Sequence, residues 1–522
     1  MAENNVASSA TILMVGQAAV KVMTFTLNQL LFQYVTPTSM GLTQLIEFVI
    51  NYVLFLSRES VRLSVPKICI SRLFLKPAQR RQLVINFSII IPVLIFILIG
   101  TPLRYYQLGK NQILQNAVWR PQLLSLLIGS SILAELCSEP YYDLNQYMDL
   151  NFSKRARIES LASFIKCVTQ FITTVFLSKR NAEESFSDSN YVYGFVVGQF
   201  SYAATLVLAY MLNYGCICLP TSVGGIWLES GGLSYFKSVF LQQVFKHFLT
   251  EGDKFLVNSL LDIQIQGYYS VISNYGSLFA RLAFLPIEES VRINVTALFE
   301  SQTLTSGDKK RLLNESLSIV LKVYIYMLSL LLLFASSSTE FLVGILFRSF
   351  QNRNELVSSF KLYWLYVPLL AVNGISEALF NSIFNSPTDV NQYSTLMLVN
   401  SLIFFANVLF LLQYCELGLK GLILGNMINM SIRIGYSWYR LRQFIGLQGL
   451  QLKRYVGFAL ACILVHLAQT IAFANGYVSN FKDFVVNLAL GCTMLFVIAY
   501  NERDTIKRLL INRNSDKQRK IE

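Results

Sequence analysis

The sequence contains almost no histidine: only His247 and His466 occur among its 522 residues. Its eight cysteines are scattered, with neither a C-x-x-C pair nor a regular framework. Zinc and redox-metal sites need Cys and His at ligand spacing, so these shortages argue against a metal centre. A G-x-x-x-x-G-K-[ST] loop is also missing, which argues against a built-in ATP motor. We therefore expect no cofactor and no ATP hydrolysis.

Charge is scarce as well, because 14% of the residues are charged whereas 54% are hydrophobic. Apolar runs of about 20 residues match the roughly 30 Å thickness of the hydrocarbon layer of a bilayer. The first residues, MAENNVASSA, have no basic segment ahead of the first apolar run, so a cleaved signal peptide is not expected. The composition predicts an all-α polytopic membrane protein.

Apolar runs separated by helix-breaking residues predict about fourteen transmembrane helices. They lie near residues 10–34, 40–63, 83–106, 119–147, 156–178, 191–213, 237–262, 267–300, 312–337, 357–385, 391–414, 418–443, 454–475 and 480–501.

Arginine and lysine concentrate in the loops after the second, fourth, eighth and twelfth of these spans and in the C-terminal tail. The positive-inside rule therefore places both termini in the cytosol. The net charge of +13 is spread over several loops, which argues against a nucleic-acid partner. The last residues, RKIE, are similar to a dilysine-type retrieval signal of the endoplasmic reticulum, although a plain basic tail explains them equally well.

Three short matches recur in the same order along the two halves of the chain and indicate an internal repeat. They pair Lys21 with Lys246, Glu59 with Glu289, and Glu139 with Glu377, at offsets of 225, 230 and 238. We interpret them as two lobes of six helices each, followed by an extra helix pair. The Gly-, Pro- and Ser-containing seam between the lobes is expected to be a flexible or surface connector.

This interpretation divides the chain into five segments. They are an N-terminal lobe (1–213), a linker (214–236), a C-terminal lobe (237–443), an appended helix pair (452–501) and a basic cytosolic tail (502–522).

Charged side chains inside predicted spans are costly, about 2.5 to 3.5 kcal/mol each at a helix centre, so they must face protein, water or a ligand. His247, Glu251 and Lys254 are spaced to share one helical face. Arg281 and Glu288 are seven residues apart and share a face of the next span.

Pro286, between Arg281 and Glu288, cannot donate a hydrogen bond to the carbonyl of Leu282 and invites a kink. We interpret these charges as the lining of a hydrated cavity between two lobes. The alternative is that they neutralise one another as structural ion pairs.

Other charges fall in or near the spans. Glu289, Arg58 and Arg62 can lie at cytosolic helix ends, where their side chains would reach water. A further set has no spacing that assigns it a role: Glu135, Glu139, Lys166, Lys322, Glu377 and Arg433. A polytopic glycosyltransferase is disfavoured, because the predicted outer segments contain no paired carboxylates suited to acid–base chemistry.

Several runs of the sequence resemble the Rft family of eukaryotic endoplasmic-reticulum membrane proteins. They are FLTEGDKFLV (248–257), YYSVISNYGSLFARLAFLPIEES (268–290), NGISEALF (373–380), NMSIRI (429–434), FLSRES (55–60) and LAELCSEPYY (133–142). The resemblance implies the multidrug/oligosaccharidyl-lipid/polysaccharide exporter superfamily, with two six-helix lobes and two extra helices.

It further implies a role in protein N-glycosylation. A dolichyl-diphosphate heptasaccharide of five mannoses and two N-acetylglucosamines would cross from the cytosolic to the lumenal leaflet of the endoplasmic reticulum. Besides membrane lipids, this glycolipid is the expected partner. The alternatives are a non-transporting helper that binds glycolipid during its assembly and a gradient-driven exporter of small amphiphiles.

For such a substrate, cationic side chains are expected to contact the diphosphate, since Arg and Lys form charge-assisted bonds to phosphate. The first candidates are Lys21, Lys254 and Arg281, with Arg58 and Arg62 ranked below them. Glu251, Glu288 and Glu289 are expected to bond sugar hydroxyls or to hold the arginines.

Overall fold

The computed structural model describes most of the chain. The described residues are 23–24, 26–71, 76–105, 112–149, 152–180, 187–215, 218–300, 305–347, 350, 353–384, 387–445, 456–473 and 476–503.

Helices account for nearly all of these residues. They are α1 (Pro37–Ser71), α2 (Pro77–Ile95), α3 (Thr101–Arg104), α4 (Gln112–Ala117), α5 (Pro121–Cys137), α6 (Glu139–Asp143), α7 (Phe152–Arg180), α8 (Ser187–Tyr214), α9 (Ser230–Leu260), α10 (Ile263–Phe279), α11 (Leu285–Glu300), α12 (Ser306–Leu330), α13 (Ser336–Leu346), α14 (Arg353–Ile383), α15 (Pro387–Leu409), α16 (Gly418–Ile445), α17 (Val456–Ala472) and α18 (Phe481–Asn501).

Proline at the first position explains where several helices begin. Its ring fixes a helical φ, and the N–H that it lacks would have had no partner there. α1, α2, α5 and α15 all begin with proline. At the start of α1, Thr36 and Ser39 also cap each other, the backbone N–H of each donating to the other's hydroxyl at 3.0 and 3.2 Å.

Short π-helical segments extend or join several helices. They are Phe96–Gly100, Leu144–Met148, Ala280–Phe284, Leu331–Ala335 and Phe410–Tyr414. The segment Ala280–Phe284 ends two residues before Pro286, so the helix departs from α geometry where that proline removes a backbone donor.

Nine helices among the described residues are long and apolar enough to cross a membrane. They are Pro37–Pro66, Pro77–Arg104, Pro121–Met148, Lys154–Lys179, Ser189–Tyr214, Gly307–Leu346, Arg353–Ile383, Gln392–Tyr414 and Phe481–Asn501. A shorter apolar helix covers Gly457–Ala472. The chain is an all-α polytopic membrane protein, as predicted.

Three further predicted spans coincide with helices that are not among these nine. They are 237–262, 267–300 and 418–443, which correspond to α9, to α10 with α11, and to α16. The first predicted span, 10–34, lies mostly outside the described residues.

The chain forms two compact units, Met1–Ser270 (unit 1) and Val271–Glu522 (unit 2). The boundary falls within α10, whereas the sequence places the linker between the lobes at 214–236. The proposed lobe boundaries stay a prediction.

In unit 1, α1 packs against α2, α8 and α9, and α8 also packs against α5 and α7. The helices bury apolar side chains such as Ile46, Ile128 and Phe87. Gly41 allows α1 to approach the backbone of α10 closely, because a Cβ there would lie 1.9 Å from the carbonyl oxygen of Ile263.

The connector of unit 1, residues 218–229, is exposed over much of its length but is held in place by Asn86 of α2. The Asn86 amide nitrogen donates to the carbonyls of Thr221 and Trp227 at 2.7 and 3.0 Å. Its oxygen accepts from the Thr221 N–H at 2.9 Å and from the Gln82 amide at 2.9 Å. The predicted surface connector is therefore an ordered part of this unit.

In unit 2, α14 packs against α11, α13 and α16, and α15 packs against α16. The C-terminal helices α17 and α18 pack on each other, and α18 also contacts α12 and α13. Tyr326, Phe458 and Met494 form a buried cluster there.

Candidate functional site

Two arginines and two glutamates come together inside the membrane-spanning helices of unit 1. Arg58 and Arg62 are four residues apart on α1 and therefore share a face of that helix. Glu135 and Glu139 are also four apart, at the end of α5 and the start of α6. We call these four residues the arginine–glutamate cluster.

The geometry of the cluster is that of charge-assisted hydrogen bonds. Arg62 donates through Nε and Nη2 to the two oxygens of Glu139, at 2.9 and 2.8 Å. Arg58 donates through Nη1 to Glu135 at 2.7 Å and to Glu139 at 3.4 Å. The bidentate Arg62–Glu139 pair fixes both side chains, since the planar fork of a guanidinium matches a carboxylate.

Neighbouring polar groups provide further hydrogen bonding around Glu135. The Gln199 amide on α8 donates to Glu135 Oε2 at 3.2 Å. Lys166 on α7 in turn donates from Nζ to Gln199 Oε1 at 2.7 Å. A buried charge is tolerated only when it is paired and hydrogen-bonded, and this chain of contacts meets that condition.

The two signs of charge differ in exposure. The side chains of Glu135 and Glu139 are 6% and 3% exposed, whereas those of Arg58 and Arg62 are 26% and 21% exposed. The Arg62 guanidinium also lies 3.8 Å from the ring centre of Tyr142, which packs one of its faces. The glutamates thus hold two oriented cations partly exposed, an arrangement suited to binding phosphate oxygens.

Unit 2 arranges its charges differently. Glu377 on α14 accepts from Arg433 Nη2 on α16 at 2.7 Å. Glu288 on α11 lies against the backbone of α14, since a Cβ on Gly374 would be 1.8 Å from Glu288 Oε1.

Unit 2 also contains an apolar cavity of about 430 Å³. Its lining includes Tyr275, Leu342, Phe360 and Trp364. The Trp364 indole N–H donates to Thr339 Oγ1 at 3.0 Å, so these two polar groups satisfy each other. The cavity is suited to hydrocarbon rather than to sugar or phosphate.

Of the eight predicted site residues, the structure brings Arg58 and Arg62 together in one ion-pair network. They lie in ion pairs with buried carboxylates rather than at solvated helix ends. Glu289 instead pairs with Arg292 on its own helix at 2.6 Å, and both side chains are more than half exposed. Glu288 is partly buried against α14.

The structure places none of the remaining predicted residues in the arginine–glutamate cluster. Lys254 is exposed on α9, and Lys21 lies outside the described residues. Glu251 and Arg281 are in helical backbone, but their side chains also lie outside what the structure describes. His247 stacks on Phe55, with ring centres 3.9 Å apart, which gives it a packing role.

The partners of the arginines, Glu135 and Glu139, were assigned no role from the sequence. Their pairing could have been inferred from the sequence. The two arginines and the two glutamates each have i, i+4 spacing within a predicted span, so each pair shares one helical face and the two faces can form ion pairs with each other. Among the described residues, no group of three or more His, Cys, Asp or Glu could hold a metal ion.

Solved structures similar to this chain define a class of fold. The lipid II flippase MurJ in its inward closed conformation matches with a TM-score of 0.65 at 14% identity, over 95% of this chain and 100% of that one. An inward-facing multidrug resistance MATE family transporter of the MOP superfamily matches with a TM-score of 0.53 at 12% identity, over 81% of this chain and 96% of that one. The fold is therefore that of polytopic membrane transporters.

The family described as Rft protein matches residues 5–512, and the chain belongs to this family. Two curated relatives bear the name Man(5)GlcNAc(2)-PP-dolichol translocation protein RFT1. The one from Candida glabrata is 32% identical, covering 98% of both chains. The one from Saccharomyces cerevisiae is 30% identical, covering 97% of this chain and 95% of the relative. The resemblance seen in the sequence is confirmed.

Proposed function

We propose that this protein moves the dolichyl-diphosphate heptasaccharide, with five mannoses and two N-acetylglucosamines, from the cytosolic to the lumenal leaflet of the endoplasmic reticulum for N-glycosylation. The observation that carries the proposal is the partly exposed Arg58 and Arg62 pair, held on membrane-spanning helices by buried glutamates. The name of the relatives, which specifies this glycolipid, supports the choice of substrate.

The diphosphate is the part of this substrate that the cluster suits. A diphosphate offers several anionic oxygens, and a guanidinium can donate to two of them at once. Because Glu135 and Glu139 already fix Arg58 and Arg62, little side-chain entropy is lost when the anion binds. The balanced charge of the cluster also keeps the empty site tolerable within the membrane.

The other predicted site residues belong to the same proposal. Lys21, Lys254 and Arg281 would add positive charge for the diphosphate. Three carboxylates, Glu251, Glu288 and Glu289, would accept hydrogen bonds from sugar hydroxyls or hold the arginines.

Transport would run down the glycolipid gradient or use an ion gradient, since no nucleotide-binding loop occurs in the sequence. Both termini would lie in the cytosol, as the distribution of basic loop residues indicates.

The experiment uses purified protein in sealed vesicles that contain labelled heptasaccharide lipid. The double variant Arg58→Lys/Arg62→Lys keeps both charges but loses the planar fork. We expect its translocation rate and glycolipid affinity to fall about tenfold, the effect of roughly 1.4 kcal/mol of lost charge-assisted bonding. Arg292→Lys is the matched control, because that arginine forms an exposed pair on one helix.

The diphosphate site and the transport activity are tested by different outcomes. A folded double variant that binds and moves glycolipid like the wild type would refute the diphosphate site. Wild-type protein that binds the glycolipid but moves it no faster than empty vesicles would refute transport and favour the non-transporting helper.

A further inference from the structure

The membrane-spanning helix Pro121–Met148, which includes α5 and α6, carries a third acid beside the two glutamates of the cluster. Asp143, at the end of α6, follows Glu135 and Glu139 at successive intervals of four residues, so the three carboxyls form a row along one side of the helix. The row lies inside the membrane-spanning helix Pro121–Met148. Its third member has no role in the proposed diphosphate site.

The row has one more acid than the facing helix α1 has arginines. Arg58 and Arg62 bond to Glu135 and Glu139, and no ion pair to Asp143 occurs among the described residues. Asp143 is 0% exposed. One carboxyl oxygen accepts from the Ser88 hydroxyl on α2, while the other, Oδ1, has no hydrogen-bond partner.

An ionised carboxylate in this position would be very unfavourable. Removing a charged group from water costs far more than removing a neutral one, and the usual result is that the group becomes neutral. A missing hydrogen bond at one oxygen of a neutral carboxyl costs far less than an unpaired buried charge. The geometry therefore favours Asp143 in its protonated form.

The groups around Asp143 suggest what governs that proton. Arg62 on α1 and Glu139 on its own helix are the charged groups that act on it. Tyr147, in the π-helical segment, and Ser88, on α2, complete its polar surroundings. Glu139 repels a second negative charge and also occupies Arg62, the cation that acts on Asp143 within the described part of the chain.

We propose that Asp143 is a proton-binding site of unit 1 and that the pairing of Arg62 controls its occupancy. While Arg62 remains bound to Glu139, Asp143 keeps its proton. When Arg62 turns toward Asp143, the O–H bond of the carboxyl breaks, the proton passes to water, and the carboxylate pairs with the guanidinium. The ligand is a proton, and the site does not depend on which substrate the protein carries.

The test measures protonation directly, on purified full-length protein without glycolipid. Infrared absorption in the carbonyl-stretch region of protonated carboxyls is recorded at neutral pH. We expect Asp143→Asn to remove an intensity equivalent to one carboxyl. The matched control Asp262→Asn should leave the band unchanged, because Asp262 is exposed to solvent and lies outside the row of carboxyls.

A further variant tests the control by Arg62. In Glu139→Gln, the neighbouring negative charge is gone and Arg62 is available to Asp143. We expect the Asp143 band to weaken at neutral pH. An unchanged band would overturn the role of Arg62, and identical wild-type and Asp143→Asn spectra would overturn the proton site itself.

If Asp143→Asn does not fold, Ser88→Ala provides the answer, since it retains Asp143 but removes the hydroxyl that donates to it. The carbonyl band of a protonated Asp143 should then shift in frequency. A band with no shift would overturn the proposal.

Discussion

In unit 1, Arg62 donates two hydrogen bonds to the buried Glu139 on another helix. In unit 2, the arginine at the matching repeat position, Arg292, pairs instead with Glu289 one turn earlier on its own helix. Glu377, which matches Glu139, pairs with Arg433 from α16. The same short motif thus forms a buried network between helices in one unit and an exposed local pair in the other.

The two units also differ in the residue that precedes the shared Glu-Ser-Val-Arg motif, which is positively charged in unit 1 and negatively charged in unit 2. Arg58 in unit 1 matches Glu288 in unit 2 at the same offset of 230. Arg58 is paired with two carboxylates, whereas Glu288 lies against Gly374, one turn from a second carboxylate at Glu377. Repetition of a sequence motif therefore does not imply repetition of its chemistry, and the proposed diphosphate site uses the arginine pair of unit 1.

The largest difference is expected between the two matched arginines. Arg62→Gln leaves the buried Glu139 without its main partner and should cost about 3–5 kcal/mol. Arg292→Gln removes an exposed pair and should cost less than about 0.5 kcal/mol. Thermal unfolding of the two purified variants in detergent measures both effects. Equal losses of melting temperature would contradict the contrast between the units.

A second comparison concerns two helical glycines that face different kinds of neighbour. Gly41→Ala places a methyl group against the backbone carbonyl of Ile263, which can move only with its helix, and should cost about 1–3 kcal/mol. Gly374→Ala meets the end of the Glu288 side chain, which can turn aside. Because alanine has a higher helix propensity than glycine, the stability of Gly374→Ala should be unchanged or should rise by up to about 1 kcal/mol.

The same unfolding measurement applies to both glycine variants. A Gly374→Ala protein as unstable as Gly41→Ala would show that Glu288 is fixed rather than movable.

The smallest expected effect concerns two buried asparagines. Asn86→Ala releases the connector from α2, and a loss of about 1–2 kcal/mol should raise its rate of limited proteolysis about tenfold. Asn400→Ala in unit 2 removes bonds to Asn429 but touches no part of the connector, so the rate should stay as in the wild type. Equal cleavage of all three proteins at residues 218–229 would show that Asn86 does not hold the connector.

Much of the helical architecture could be predicted, because a membrane span needs about 20 apolar residues and leaves a clear pattern in the sequence. The ordered connector could not be predicted in the same way. Its glycines and its single proline indicate a turn-rich surface segment, but its order depends on Asn86, which lies 135 residues before Thr221.

The candidate site was only partly predictable for a similar reason. The cost of charge in a membrane drew attention to Arg58 and Arg62, and their i, i+4 spacing places them on one helical face. Their partners lie 77 residues further along the chain, and only the packing of the helices joins Glu135 and Glu139 to them. That Asp143 has no ion pair among the described residues likewise follows from the three-dimensional arrangement.

The hydrogen bonds of Asn86 also have a consequence for the order of assembly during synthesis. Asn86 is translated well before Thr221 and Trp227. The hydrogen bonds from its amide to their carbonyls can therefore form only after the intervening chain has been made. Those acceptors emerge from the ribosome only after α8, the last helix before the connector. Closure of the connector onto α2 therefore cannot precede the synthesis of α3 to α8.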